Sequence, residues 1–594
     1  MNAPLDWLDK RTGWKKLLHE ALFENVPGGA RWRYVWGSAL LFCFVIQIIT
    51  GVFLWMAYSA SSQTAWESVF YIQHQMRGGW FLRGLHHYAA QAMTVLLALH
   101  LMQVVIDGAY KAPREINFWT GIVLFLMVLA LSLTGYLLPW DQKGYWATKV
   151  ATSIAAITPL IGPALQKTIV GGADYGHHTL TRFFALHAGV IPGAILAFIG
   201  FHLYLFRRHG VTAKEPKRKP DAAFWPDQVL KDVVACFAVL LVVLFLVVRY
   251  HGAELGAPAN PSEQYSAARP EWYFLFLFQF LKYFPGGTEI WGAMVVPTFL
   301  LLVVAAMPFV GRWRLGHYFN LGLLWAILAG AGLLTWLAIE EDRGKPEYLA
   351  AVKAADREAE RVVILAESAT GIPPEGAGTL LLEDPLTQGP KIFARNCSSC
   401  HRYDGHDGLG VTPKDPPSAS DLKGIGSRQW FAGLLDPQRV DSPHYFGGTK
   451  FKEGKMVKFV KKDIAGFSTE QRAQLQKIVA ALSAGAGLKS QRSLDQSDAA
   501  PVAEGRTLIR SESMRCTECH QFEKPDEDAT APDLTGYGAR GWLVEFISNP
   551  AHARFYGGRN DRMPLFGQDK ILDEHAIGLV VDWLRGDWYE AASP

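Results

Sequence analysis

Up to about residue 340 the chain is dominated by seven apolar runs, near 35–57, 85–106, 118–138, 186–206, 229–248, 290–310 and 320–339. Roughly 20 apolar residues make a helix long enough to cross the hydrocarbon core of a bilayer. In lipid no water satisfies the backbone, so runs of this length are confined to helices that bond within themselves. An all-α fold is therefore expected, with a polytopic bundle of seven transmembrane helices over residues 1–340. The stretch FLFLFQFLKYF (274–284) is apolar but short and follows a proline-bounded loop. It reads as a helix lying on the membrane surface.

Basic residues are retained on the cytoplasmic side of a membrane. Residues 1–34 carry Lys10, Arg11, Lys15, Lys16, Arg31 and Arg33, and residues 207–219 carry Arg207, Arg208, Lys214, Lys217, Arg218 and Lys219. Loop 58–84 has only Arg77 and Arg83, and loop 250–287 only Arg269 and Lys282. The expectation is a bacterial inner-membrane protein with a cytoplasmic N-terminus. Seven crossings then put everything after residue 340 on the periplasmic side. Formal net charge is only +3, so bulk electrostatics offers no argument for a nucleic-acid partner.

Histidine in lipid costs free energy unless it has a partner. His86 and His100 are 14 residues apart in the second run, about 40° short of four helical turns and ~21 Å along the axis. His187 and His202 are 15 apart in the fourth, about 60° beyond four turns and ~22 Å along the axis. Two helices with two histidines each, at matched depths, suit two planar cofactors stacked across the bilayer. Haem iron takes such axial imidazoles, so two non-covalent bis-histidine haems b are expected. The second and fourth runs are parallel, so His86 pairs with His187 and His100 with His202. Gly37 and Gly51 in the first run and Gly121 and Gly135 in the third repeat the 14-residue period, leaving room for a porphyrin against the backbone. Arg83, Arg182 and, at the inner side, Arg114 are placed to pair with haem propionates. His87 faces about 100° away from His86 and reads as a packing or headgroup residue; His177 and His178 read as loop residues.

Beyond residue 340 the chain is polar. A charged linker (341–385) leads to a repeat in which DLKGIGSRQW (421–430) matches DLTGYGARGW (533–542), each downstream of a CxxCH motif, CSSCH (397–401) and CTECH (516–520). Two copies of one small domain are expected, 386–486 and 505–594, joined by a linker at 487–504. CxxCH is the attachment signal for covalent c-type haem, here through Cys397, Cys400, Cys516 and Cys519 with His401 and His520 as iron ligands. A zinc site or redox dithiol would make the histidine incidental twice. A methionine is the expected second ligand. Met563 in DRMPLF takes that place in the second copy. Met456 in EGKMVKF takes it in the first, with His444 and Lys455 as competitors; Met514, two residues before Cys516, is poorly placed.

Several stretches carry a family likeness: DWLDKR, LRGLH, KAPRE, TGYLLPWDQKGYWA (134–147), TLTRFFALH, FWP (224–226) and PEWY (270–273). Over residues 1 to about 340 the chain resembles the cytochrome b of bc-type and bf-type quinol-oxidising complexes. The 15-residue histidine spacing and the lack of an eighth span look like the bf type, in which the chain is commonly split in two. The bf cytochrome ties an extra haem to a cysteine in the first span; that position is Val35 here, with Cys43 two turns further along and read as a buried small residue.

The resemblance implies a quinol:cytochrome c oxidoreductase working by a Q cycle. It places Glu271 and Tyr273 in an outer quinol site faced by Gly144 and Tyr145, with Glu271 the proton acceptor. On composition alone PEWY reads as an interfacial aromatic belt; the presence of LPWDQKGYWA as well favours the functional reading. Glu20 and Arg207 resemble the family's inner-site acid and arginine, and read equally as solvated charges. No Rieske cysteine–histidine pattern occurs in the chain, so a separate Rieske iron–sulfur subunit is the implied partner. A c-type acceptor, membrane lipid and a second copy of the complex complete the implied set.

Overall fold

The computed structural model describes residues 3–212, 220–526, 528–560 and 562–591. Lys214, Lys217, Arg218 and Lys219 of the basic loop lie outside the described residues. Among the described residues the regular elements are helices, apart from one short antiparallel pairing of Asn25–Val26 with Ala222–Ala223 and a few isolated bridges. It divides into two compact units, residues 1–366 with 370–378, and 367–369 with 379–594.

Among the described residues of the first unit six helices are long and apolar enough to cross a membrane: Trp32–Trp55, Gly79–Ile106, Glu115–Tyr136, His177–His209, Asp227–Arg249 and Arg314–Arg343. The first packs on the second, the third on the fourth, and the fifth against the first two. The run expected at 290–310 differs: it is Trp291–Ala305, too short to count with the six, followed after Ala306 by a separate turn, Met307–Val310. Pro308 explains the break, because it has no amide to donate and its ring collides with the turn before it.

Proline also shapes the fourth span, in which a π-helical turn, Leu186–Val190, precedes Ile191 and Pro192. A π turn is a one-residue insertion into an α-helix. It absorbs the extra residue between His187 and His202, so 15 residues here subtend nearly what 14 subtend between His86 and His100. The same arrangement, a π turn ahead of a proline, recurs at Trp291–Val295 before Pro297.

The two ends of this bundle are distinguishable. At one, Gly28 N donates to Asp221 (2.9 Å), Arg31 N to Gln228 (2.8 Å) and Arg114 to the His209 carbonyl (2.7 Å). The last span starts there, with Tyr110 Oη 2.7 Å from His317 Nδ1. It finishes at the other end, where Asp342 accepts two hydrogen bonds from Arg269 (2.6 and 2.8 Å). Helix Pro346–Ala366 follows, and its Asp356 and Glu358 line a cleft with Lys143, Glu254 and Tyr265. Residues 291–305 run between the ends: Thr158 bonds to Met294 at one, and the Ala305 carbonyl accepts from Trp119 Nε1 (2.8 Å) at the other.

The second unit is built on six principal helices: Pro385–Asn396, Arg428–Leu434, Thr469–Ala486, Ala499–Ile509, Arg540–Ser548 and Glu574–Arg585. Ser427, Ser468 and Asp573 cap three of them through side-chain oxygens, each satisfying an amide the helix leaves open. One apolar core runs through both repeats, from Phe393, Trp430 and Ile478 to Ile509, Trp542 and Trp583. The repeat loops touch: a Cβ on Gly538 would stand 3.2 Å from Gly426 Cα, and both glycines have positive φ. The segment read as a linker at 487–504 is helical for much of its length and tied down, since Arg428 pairs with Asp495 (2.9 Å) and with Asp498.

Candidate functional site

The histidine rings of the second and fourth spans face each other. The ring centroids of His86 and His187 are 6.2 Å apart at an interplanar angle of 68°. The proton positions follow from the neighbours. Thr50 Oγ1 gives its hydrogen to the Ile46 carbonyl (2.6 Å), so it accepts from His86 Nδ1 at 2.9 Å. His187 Nδ1 lies 3.1 Å from the Leu131 carbonyl, which can only accept. Both imidazoles therefore carry the hydrogen on Nδ1 and offer a lone pair at Nε2, the form that binds a metal. Two imidazoles bonded at about 2 Å to one ion between them have centroids about 6 Å apart, which is the separation observed. His100 and His202 lie within range of each other, and the Nδ1 atoms of both are buried without a hydrogen-bond partner.

The four glycines each lie against one histidine ring. A Cβ on Gly37 would meet His100 Cε1 at 3.6 Å, on Gly51 His86 Cε1 at 3.4 Å, on Gly121 His202 Cε1 at 3.4 Å, and on Gly135 His187 Cε1 at 2.5 Å. Only at Gly135 would the added carbon collide with its imidazole; at the other three it would stand in ordinary contact. Arg83 donates to the carbonyls of Ala253 (2.7 Å) and Glu254 (2.6 Å) and to Gln73 (2.9 Å), so in this structure it braces the 251–254 loop. Arg182 donates to the Thr168 carbonyl. Arg114 keeps its Nε buried and without a partner.

At the end where His86 and His187 lie, Asp141 caps helix Gln142–Ala156, accepting from Gly144 N (2.8 Å) and Gly256 N (3.2 Å). Gly144 is required there, since a Cβ would sit 2.3 Å from the Tyr136 carbonyl. Lys143 bonds both oxygens of Glu254 at 2.9 Å. Burial pushes the Glu271 carboxyl above its ordinary value; Lys143 opposes this, while Glu254 and Asp141 add to it. Asp141 is raised by burial too. Tyr273 reaches Ser132 of the third span. Tyr145 is buried in an aromatic group with Trp140, Trp146 and Tyr175, so the structure gathers Glu271 with the charged cluster and Tyr145 with the rings. His87 Nε2 accepts from Gln91 (2.7 Å), whose Oε1 accepts from Trp272 (3.3 Å).

At the other end, Glu20 and Arg207 are exposed. A different carboxylate is enclosed: Asp232, 7% exposed, accepts from Ser38 (2.7 Å) and Gln228 (2.8 Å), and Ser38 adjoins Gly37 and so His100. Sequence reasoning missed Asp232, and it missed Thr50 and Thr134. The signal for the threonines was present: Thr50-Gly51, Thr120-Gly121 and Thr134-Gly135 are one dipeptide at three of the four glycines.

In the second unit the four CxxCH cysteines are free thiols. Burial, with Cys400 close by, pushes Cys397 up to about 12, and burial raises Cys516 to about 11. His401 Nδ1 donates to the Ser420 carbonyl and His520 Nδ1 to the Pro532 carbonyl, both at 2.8 Å, which again leaves Nε2 as a lone pair. Trp542 Nε1 donates to the Asp533 carbonyl (3.0 Å), whereas its repeat counterpart Trp430 holds a buried N–H without a partner. Met563 packs on the main core, and Met456, at the start of helix Lys455–Lys462, packs on a smaller cluster with Val440, Val457 and Val460. Met514 is buried in the core.

Paired imidazoles at two depths of an apolar helical bundle, one pair with its tautomers fixed as lone-pair donors, define a haem-binding membrane protein of electron transport. The comparisons give the same class a family. Residues 91–266 match the family described as cytochrome b(N-terminal)/b6/petB, and residues 258–355 that described as cytochrome b(C-terminal)/b6/petD. Cytochrome b of Cereibacter sphaeroides is 30% identical over 402 residues, covering 59% of this chain and 88% of that protein. The menaquinol:cytochrome c reductase cytochrome b subunit of Geobacillus thermodenitrificans is 39% identical over 220 residues, 36% of this chain and 98% of that protein. Cytochrome b6 of Synechococcus sp. (strain JA-3-3Ab) is 37% identical over 212 residues, 36% of this chain and 99% of that protein. The chain belongs to the cytochrome b family, whose cofactor is haem b, and its two imidazole pairs fit that cofactor.

Proposed function

We propose that this chain is the cytochrome b subunit of a bacterial quinol:cytochrome c oxidoreductase, extended by a di-haem cytochrome c, and that it works by a Q cycle. The observation that carries the reading is a half-buried carboxyl, Glu271, raised by burial above its ordinary value, at the same end of the bundle as the His86–His187 pair. Haem b, when bound there, supplies a one-electron relay across the bilayer. Oxidising a quinol at this end releases two electrons and two protons. Glu271 takes a proton at its carboxylate oxygen, and Lys143, Glu254 and Asp141 tune how tightly it is held. Tyr273 and Tyr145 shape the walls of the site. One electron would leave through a Rieske iron–sulfur partner to the c-type modules and a c-type acceptor; the other would cross by the haems that the histidine pairs hold, and two such turnovers would supply the two electrons that reduce one quinone to quinol at the inner end. There Asp232, hydrogen-bonded beside the His100 contact, is better enclosed for proton delivery than Glu20.

Residues 291–310 count as a seventh crossing in this reading. Helix Trp291–Ala305 rises about 22 Å and the turn Met307–Val310 continues the segment, and its two parts bond to opposite ends of the bundle. An odd number of crossings agrees with the placing of helix Pro346–Ala366 at the end opposite the N-terminal segment. The c-type reading is supported by two buried histidines with carbonyl-fixed tautomers, four unpaired thiols and the orphaned Trp430 N–H.

Glu271→Gln tests the function. Loss of a positioned base costs typically 10²–10⁴ in rate. Quinol:cytochrome c reductase activity is expected to fall at least tenfold with b-haem content unchanged. An unaltered turnover means a one-way quinone-linked anchor instead.

A further inference from the structure

A self-contained repeat of the second unit would pack its first helix on its own last helix. The structure does the reverse. Helix Pro385–Asn396 of the first copy packs on Glu574–Arg585 of the second, and Ala499–Ile509 of the second packs on Thr469–Ala486 of the first. Both crossings are too close for any residue but glycine. A Cβ on Gly389 would stand 2.2 Å from Trp583 Cβ, and one on Gly505 would stand 2.0 Å from the Lys477 carbonyl oxygen.

The exchange reaches both CxxCH motifs. Phe393 and Tyr403, which flank Cys397–His401, lie 5.4 and 4.3 Å from Trp583 between ring centroids. A Cβ on Gly408 would meet the same indole at 3.2 Å. On the other side, Arg515, the residue before Cys516, pairs with Asp463 at 2.8 Å and lies 5.9 Å from the Phe459 ring. Asp463 and Phe459 belong to the first copy. Arg585, at the end of the second copy's last helix, donates to the carbonyls of Ala486 (2.8 Å) and Gly487 (3.2 Å) at the end of the first copy's.

We infer that the two CxxCH copies exchange their last helices, so that each haem-attachment motif is enclosed by the other copy. The inference rests on reading the two motifs as haem sites. It makes the pair one body with fixed mutual placement, and it makes residues of one copy set the environment, and hence the potential, of the haem on the other.

The test uses two full-length chains, each with one c-type haem: Cys516→Ser/Cys519→Ser, and Cys397→Ser/Cys400→Ser. Trp583→Phe and Asp463→Asn are introduced into each, and the c-haem midpoint potential is titrated. Trp583→Phe is expected to shift the haem on Cys397 and Cys400 and leave the other within error. Asp463→Asn is expected to do the reverse. Shifts confined to the mutated residue's own copy, equal shifts in both chains, or no shift in either would overturn the exchange. Absence of covalent haem from both chains would overturn the reading of the motifs instead.

Discussion

At Gly135, room for the His187 imidazole depends on one absent carbon. A Cβ contact at 2.5 Å is far inside van der Waals separation, whereas one at 3.6 Å is ordinary. The four glycines should therefore not be equivalent. Gly135→Ala is expected to displace His187 and remove most of one b haem, leaving about half the extractable haem. Gly37→Ala is expected to keep nearly all of it; a pyridine haemochrome assay of the purified chains separates the two. The glycine period was legible in the sequence because it repeats. Which atom each glycine clears was not, because that depends on how the neighbouring helix is rotated. Thr50 illustrates the same limit: its hydroxyl fixes a tautomer only because His86 comes to 2.9 Å. Glu271 supplies a titration. Its folded-state pKa is raised above the ordinary 4.5, so the folded protein holds a proton that the unfolded chain gives up. Stability from this group is fully present below the ordinary value and is lost as pH rises through the raised one. Thermal unfolding in detergent should show that decline for the wild type and a flatter profile for Glu271→Gln.

At the scale of elements, the informative departure is the π turn at Leu186–Val190. Helical periodicity alone leaves His187 and His202 about 100° out of step with the His86–His100 spacing. The sequence holds the cause, Pro192, but a proline in a long apolar run reads equally as a kink or a break. The insertion becomes visible only when both helices are seen to align their histidines. Deleting Gly189, within the π turn and with open space around its Cα, should convert the turn to regular α-helix and restore a 14-residue spacing. Both b haems are expected to survive. Deleting Thr94 from the second span, which has no such turn, should rotate His86 against His100 and cost one haem. Equal loss in both variants would refute the compensation. The crossed helices of the second unit were illegible for a related reason. The repeats are alike, so an apolar face on Ala499–Ile509 fits either last helix, and local sequence does not distinguish a partner 30 residues away from one 80 away.

For the whole molecule, the ends of the first unit are fixed by hydrogen bonds that join distant parts of the chain. Asn25–Val26 is held by Ala222–Ala223 at one end, while Arg269, Lys143 and Glu254 meet Asp342 and helix Pro346–Ala366 at the other. By the charge rule the first end, where the basic residues concentrate, is the one expected on the cytoplasmic side. The six long helices alone would return the chain to the side on which it began. Only the interrupted segment around Pro308 decides between six crossings and seven, and its hydropathy reads as a span while its helix is broken. Reporter fusions decide it. With seven crossings, alkaline phosphatase fused after residue 366 is active and a fusion within 207–212 is inactive. With six, the fusion after residue 366 is inactive as well, and covalent haem, which is attached outside the cytoplasm, could not form on Cys397 or Cys516.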